Sequence, residues 1–323
     1  MRIFVTGATG FLGNNLVRLL LEQGHEITAA KRISSDLKSL DGLDLEAIDV
    51  NLNDSSEVSL HLKEADLVIH SAAMIQLGWS KLAASRKINV DATRTLAQAA
   101  RRRGIRMIHV STVDTLADLG DQPVNETQTE PPKPLCTYVV SKREASEAFQ
   151  AEIDQGLDGI TVLPGFMVGP WDWRPSSGEM MMAIYKNLLL FAPAGGCSVA
   201  DVRDVAAGII SAMEHGRAGE KYILGGENLK YLDLWQRMAA VMQRPAPKFP
   251  LPDWLAETAG RFGDLASKFV KEETQVNTGA TRMGQLHHWV DSSKAKKELG
   301  YENQSIDTAL EDAWKWFQAY GYV

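Results

Sequence analysis

The chain has 323 residues and a formal net charge of -7, long enough for one large domain with an appendage or for two domains, and too acidic to suit a nucleic-acid or anionic-membrane surface. Its two cysteines, Cys136 and Cys197, supply neither a disulfide framework nor metal-ligand spacing, which fits a reducing cytoplasm. No apolar run approaches the roughly 18 residues of a membrane-spanning helix, and no signal peptide is expected ahead of the first strand.

Arg2-Ile3-Phe4-Val5 reads as a short buried strand, and Leu12, Leu16, Leu19 and Leu20 recur at helical spacing until Gly24 closes the helix. Between them Gly7, Gly10 and Gly13 punctuate Thr6-Gly7-Ala8-Thr9-Gly10-Phe11-Leu12-Gly13. Missing side chains there permit a tight turn, let backbone approach a pyrophosphate, and let helix pack closely on strand, while the helix amino terminus faces the negative charge. The spacing is Gly-x-x-Gly-x-x-Gly. No Gly-Lys-Ser/Thr follows, which argues against a nucleoside-triphosphate loop.

Strand-like runs at 26–30, 45–48, 67–70, 105–110 and 160–163 alternate with helical stretches, notably 81–103 and 138–157. Such alternation predicts an α/β fold with a doubly wound parallel sheet. Asp54-x-x-Glu57 marks a helix start, and Gly104 after Arg101-Arg102-Arg103 a helix end. The three arginines there answer the helix dipole rather than a nucleic acid.

The second strand ends Ala30-Lys31-Arg32, without the carboxylate that NAD enzymes usually present to the adenosine ribose. Two cations would instead attract a 2′-phosphate, so NADP is the expected cofactor and NAD the alternative. Past the Ser111-Thr112 pair lies Tyr138-Val139-Val140-Ser141-Lys142. Tyr and Lys four apart share a helix face, one turn from each other. A phenol with an ordinary pKa of about 10 is a poor acid or base near neutrality, and a fixed neighbouring cation would bring it toward working pH. That is the chemistry of a carbonyl/alcohol oxidoreductase.

Trp171-Asp172-Trp173-Arg174-Pro175-Ser176 opens a segment rich in Met180, Met181, Met182, Leu188, Leu189, Leu190 and Phe191. It reads either as an apolar, adaptable substrate cap or as core. Between Val168 and Phe191 the cations are Arg174 and Lys186, so a largely uncharged pocket is expected. His287-His288 has no acidic or sulfur partner at ligand spacing, and no metal site is expected.

Further motifs follow in order: Asp49-Val50, His70-Ser71-Ala72-Ala73, Ile88-Asn89-Val90, Leu163-Pro164-Gly165-Phe166-Met167-Val168-Gly169-Pro170, Val202-Arg203-Asp204-Val205-Ala206, Glu220-Lys221-Tyr222-Ile223-Leu224-Gly225-Gly226, Asp291-Ser292-Ser293-Lys294-Ala295 and Glu298-Leu299-Gly300-Tyr301. Together with the glycine turn and the Tyr–Lys pair, they make the chain resemble, over essentially its whole length, the extended short-chain dehydrogenases/reductases. That family, the NAD-dependent epimerase/dehydratase superfamily, includes dihydroflavonol reductase-like enzymes, 3β-hydroxysteroid dehydrogenases and nucleotide-sugar epimerases and dehydratases. Gly169-Pro170-x-Asp172-x-Arg174-Pro175 is similar to the dihydroflavonol reductase-like bacterial branch in particular.

The resemblance implies a dinucleotide-binding Rossmann domain over 1–166, with a segment near 198–225 returning to it, and a smaller, mainly helical substrate-binding domain over 167–323. It makes Tyr138 the general acid in reduction. Lys142 would bind the nicotinamide ribose and depress the Tyr pKa, and Thr112, in preference to Ser111, would polarise the substrate carbonyl. Gly7, Thr9, Gly10, Phe11, Leu12 and Gly13 would cradle the pyrophosphate, with Lys31 and Arg32 at the 2′-phosphate and Asp49 and Val50 at adenine. Ala72 and Ala73 would meet the phosphate–ribose region, Pro164 and Gly165 the nicotinamide side, and Asn89 would brace the site.

The expected function is NADP-dependent reduction of a ketone or aldehyde on a small, apolar substrate, in the cytoplasm. A nucleotide-sugar epimerase is the alternative, and from another class a dinucleotide-binding redox sensor without turnover. A dehydratase is disfavoured because Thr112-Val113-Asp114 lacks the adjacent Asp-Glu pair. The partner implied is a small carbonyl or alcohol compound, with no nucleic acid and no membrane; a helix-paired homodimer is common in the family.

Overall fold

Thirteen strands arise in the computed structural model, which describes residues 1–128, 135–186, 189–267, 269 and 273–323. They are β1 (Arg2–Thr6), β2 (Glu26–Lys31), β3 (Glu46–Asp49), β4 (Leu67–His70), β5 (Arg106–Val110), β6 (Gly159–Pro164), β7 (Phe166–Val168), β8 (Phe191–Ala192), β9 (Gly196–Asp201), β10 (Lys221–Leu224), β11 (Glu227–Lys230), β12 (Phe249–Pro250) and β13 (His287–His288). Helices among the described residues are α1 (Phe11–Glu22), α2 (Ser55–His61), α3 (Leu82–Ser85), α4 (Ala92–Arg103), α5 (Thr137–Ile153), α6 (Gly178–Tyr185), α7 (Val202–His215), α8 (Tyr231–Val241), α9 (Asp253–Ala266), α10 (Thr278–Met283), α11 (Ser293–Leu299) and α12 (Ile306–Ala319). None is long and apolar enough to cross a membrane.

Seven strands form one parallel sheet in the order β10-β6-β5-β4-β1-β2-β3. Every residue of β4 and β6 is buried, as happens when helices cover both faces. On one face Leu16 and Leu20 of α1 pack with Val205 and Ile209 of α7; on the other, Leu96 and Ala100 of α4 pack with Phe149 of α5. Burying each such leucine contributes about 1.5–3 kcal/mol. The strand order reverses between β1 and β4. In doubly wound sheets that reversal opens a crevice beyond the carboxyl ends of the strands, where a ligand can lie.

The helix ends follow local chemistry. Asp54 caps α2 by accepting from the Ser56 and Glu57 amides, and Gly104 ends α4 at φ +67. The stretch 81–103 is not one helix. Between α3 and α4 a π-helical turn spans Arg86–Asp91, and it turns the Asn89 side chain inward to bond the main chain of Met74. Helix α5 stops at Ile153, short of 157, because Gly156 takes φ +100 and the Leu157 amide turns back to Glu152 O.

The second sheet contains β11, β9 and β13 in that order, with β7 also on β9. Its core joins Met181 and Ile184 of α6 to Leu234, Trp235 and Met238 of α8 and to Ala313, Trp314 and Phe317 of α12. Met180, Met182 and Leu189 pack against this core, so the methionines serve as core, whereas Leu190 and Phe191 are exposed; Leu188 lies outside the described residues. Two elements between β9 and β11 lie with the first sheet, since β10 pairs β6 and α7 packs on α1. The halves are tied by Arg203, which grips Asp201 and Asp312, and by Arg18, whose guanidinium lies 3.6 Å above the Trp171 ring.

Candidate active site

The turn between β1 and α1 is closed by contact. Gly7 takes φ +78, and a Cβ there would lie 2.6 Å from the Ala72 amide nitrogen; one on Gly13 would lie 2.0 Å from Gly7 O. Only bare backbone fits. Helix α1 has no side-chain cap and no acidic residue in its first turn. Its first helical bond is Asn14 N to Gly10 O at 2.8 Å, which leaves the amides of Phe11, Leu12 and Gly13 ahead of it. Such a cradle fits a diphosphate. Ser71 and Ala72 close its other side, with Ser71 Oγ donating to Thr6 O and Ala72 N to Thr6 Oγ1; Thr9 and Ala73 lie in the same two turns.

At the far end of β2 the two expected cations differ. Lys31 Nζ pairs with Asp49 Oδ1 at 2.5 Å, because parallel pairing sets Lys31 opposite Asp49. Arg32 is exposed, and its side chain makes no ion pair among the described residues. Val50 is buried beside them. On the opposite flank Pro164 ends β6, and Gly165 allows a close approach, since a Cβ there would stand 2.5 Å from Ser198 O.

Thr112, Tyr138 and Lys142 meet past the end of β5. Lys142, 3% exposed, donates from Nζ to Val110 O at 2.7 Å, and burial takes its pKa down to about 8. Burial, the Asp114 carboxylate and Cys136 push the Tyr138 phenol up, against a hydrogen bond with Thr112 that lowers it. The depression expected from Lys142 is not found among the influences on the phenol: the ammonium is held by the Val110 carbonyl, while the phenol lies buried near a carboxylate. Ser111 is turned away, its hydroxyl 2.8 Å from Ser146 Oγ.

The amino terminus of α5 starts at Cys136 without a side-chain cap. Its amides are satisfied by the loop after β4, Tyr138 N donating to Gln76 O and Thr137 N to Gly78 O. That loop is held from both sides. Asn89 Nδ2 reaches Met74 O and Ser141 Oγ, while Glu273 accepts from Gln76 Nε2, Trp79 N and Ser80 Oγ.

Two residues absent from the expected set stand next to Thr112. Its Oγ1 donates to Asp114 Oδ2 at 3.0 Å, and His288 Nδ1 lies 3.1 Å from Asp114 Oδ1. Burial raises the Asp114 carboxyl, but the His288 charge and hydrogen bonds from His288 and Thr112 outweigh it and leave it below the ordinary range. Burial likewise lowers the His288 imidazole, and Asp114 with Met283 O more than reverses this. The sequence carried one signal, a His pair, but neighbours in the chain could not show its partner.

Comparison with known proteins gives a concordant result. The profile of the NAD dependent epimerase/dehydratase family matches residues 3–225. A protein called "Putative dihydroflavonol 4-reductase" from Synechocystis sp. is 34% identical over 99% of this chain and 95% of its own length. "Sterol demethylase protein B" of Methylococcus capsulatus is 32% identical over 100% of both. Among solved structures, PA4631, called a nucleoside-diphosphate-sugar epimerase, from Pseudomonas aeruginosa, superposes with a TM-score of 0.81 at 26% identity, over 100% of this chain and 99% of that one.

Proposed function

The chain belongs to the NAD dependent epimerase/dehydratase family, the extended short-chain dehydrogenases/reductases, and from that premise we propose that it is an NADP-dependent reductase of a ketone or aldehyde on a small, apolar molecule. The observation that carries this reading is the meeting of Tyr138, Thr112 and Lys142 past the end of β5, in a fold whose glycine cradle admits a dinucleotide.

The cradle amides of Phe11, Leu12 and Gly13 would take the pyrophosphate, and Arg32 the 2′-phosphate, Lys31 being committed to Asp49. When bound, the reduced nicotinamide supplies the hydride. Tyr138, kept protonated by its surroundings, gives the phenolic proton to the substrate oxygen, so the carbonyl becomes an alcohol. Lys142, one turn away on the same face of α5, would hold ribose hydroxyls and stabilise the phenolate left behind. Asn89 braces this end of α5 through Ser141 and Met74.

An apolar substrate is supported by the names of two relatives, 34% and 32% identical, called "Putative dihydroflavonol 4-reductase" and "Sterol demethylase protein B". The second reading, a nucleotide-sugar epimerase, is favoured by the likeness to PA4631, which is named as one. NADPH oxidation with a panel of apolar ketones and aldehydes, beside a UDP-sugar isomerisation assay, separates the two. Tyr138→Phe should cut turnover about 10²–10⁴-fold and leave dinucleotide binding intact. Arg32→Ala should reduce the preference for NADPH over NADH about tenfold or more, the worth of a charge-assisted contact. Sugar isomerisation without net NADPH change, or a fully active Tyr138→Phe, would overturn the assignment.

A further inference from the structure

The hydroxyl of Thr112 has one hydrogen and two lone pairs to dispose of. The hydrogen goes to Asp114 Oδ2 at 3.0 Å, and one lone pair accepts the Asp114 amide at 3.3 Å. What remains is a lone pair, so Thr112 has no hydrogen left for a substrate carbonyl while Asp114 stays ionised.

Whether Asp114 stays ionised depends on His288, which β13 brings in from the carboxyl-terminal half. Its Nδ1 faces the Asp114 carboxylate at 3.1 Å and its Nε2 faces the Met283 carbonyl at 3.2 Å. Both neighbours are acceptors. A neutral imidazole carries one N–H, so only the imidazolium satisfies both contacts. Both side chains are well covered, 20% exposed for Asp114 and 12% for His288. Around them stand Asp118 near His288, Cys197 opposite His288 on β9, and Cys136 and Tyr138 near Asp114.

We infer that Asp114 and His288 are a positioning pair for the reaction proposed above: the His288 charge keeps Asp114 ionised, and Asp114 takes the Thr112 hydrogen, so Thr112 faces the reacting groups only as an acceptor. The inference rests on the reductase reading for its catalytic consequence, but the pair itself does not. It assigns Thr112 a different task from polarising the carbonyl, and it makes the cap half a contributor to proton transfer. The pKa directions agree, His288 lying above and Asp114 below its ordinary value.

Side-chain NMR of His288 in the whole protein, with His288→Asn lost from the spectrum to assign it, reads the pair without any assay of turnover. The imidazole should titrate above its ordinary value of about 6.5 and drop by at least about one pH unit in Asp114→Asn. An imidazole that is neutral at pH 7 in the wild type, or unmoved in Asp114→Asn, overturns the pair. Steady-state kinetics then read its consequence. His288→Asn, which keeps a neutral donor near the Nδ1 position, should lose kcat about tenfold or more with KM for NADPH within about twofold. The double variant Asp114→Asn/His288→Asn should recover part of that loss, because no unpaired buried carboxylate remains. A kcat for His288→Asn within about twofold of wild type refutes the positioning role even where the imidazole titrates as expected. Absence of NADPH oxidation by the wild type with every carbonyl instead sinks the reductase reading and leaves the NMR result to judge the pair.

Discussion

Replacing Gly13 by alanine sets two effects of opposite sign against each other. Gly13 is the third residue of α1, and in an ordinary helix alanine would gain about 0.8–1 kcal/mol over glycine. Here the added Cβ would lie 2.0 Å from Gly7 O, 2.7 Å from Gly7 C and 3.0 Å from Ala8 Cα. All three are backbone atoms, so no flexible side-chain end can yield. Since carbon contacts relax near 3.5–4.0 Å, the turn must retreat by more than an ångström, and Gly7 is itself pressed against Ala72. Overpacking of this kind costs about 1–3 kcal/mol, and the upper part of that range applies, leaving a net loss of about 1–2 kcal/mol after the propensity gain. The same retreat moves the amides ahead of Asn14. If one charge-assisted bond is lost, dinucleotide affinity falls about tenfold or more. Gly24→Ala serves as the control: Gly24 has φ +78 but nothing within 4 Å, so the variant should lose about 1–2 kcal/mol to left-handed backbone strain and bind dinucleotide normally. Urea melts and NADPH fluorescence titrations on both variants check this. A Gly13→Ala protein as stable and as tight-binding as its parent would refute the contact argument.

Burial lowers the Lys142 ammonium from 10.5 to about 8, so between those values the unfolded chain keeps a proton that the native state has shed, and the stability owed to this residue rises with pH. In urea melts the wild type should gain about 1 kcal/mol on Lys142→Met between pH 8 and 9, and a difference that stays flat with pH would count against it. Asp172 is 1% exposed, accepts from the Ser176 and Gly178 amides through Oδ2 while Oδ1 is buried without a partner among the described residues, and burial raises its carboxyl to about 6. A raised acid gives up stability as pH climbs from its unfolded value near 3.8 through 6, so Asp172→Asn, which keeps the acceptor, should be more stable by about 1–2 kcal/mol at pH 7. That advantage should vanish near pH 4, and a less stable Asp172→Asn at pH 7 would show the buried charge to be compensated.

What the sequence revealed was whatever depends on near neighbours. Apolar runs gave the strands, glycine spacing the turn, and the four-residue step from Tyr138 to Lys142 one face of α5. Contacts between distant segments were out of reach. Lys31 and Asp49 were both expected at the adenosine end, but parallel register sets them opposite each other, so they neutralise one another. The methionines of 180–182 are apolar in either reading, and only packing against Trp235 and Trp314 distinguishes a core from a cap lining. A two-residue strand is too short for its alternation to be legible: in β13, His287 meets Asp121 while His288 meets Asp114.

These distant contacts have a direction in common. The first half alone supplies Thr112, Tyr138 and Lys142, yet the segments that orient them are fastened from the second half. Glu273 bonds the loop that satisfies the Tyr138 and Thr137 amides, and that loop carries Gly78 where a Cβ would fall 1.9 Å from the Glu273 carboxyl carbon. His288 faces the carboxylate that takes the Thr112 hydrogen. If the second half shifted away, Gln76, Trp79 and Ser80 would exchange Glu273 for water, whereas the well-covered Asp114 carboxylate would lose its His288 partner, at about 1–3 kcal/mol. Seating of the carboxyl-terminal half and orientation of the phenol are therefore coupled. A substitution that alters substrate preference by moving that half should also change the rate of the proton step, even when it lies far from Tyr138.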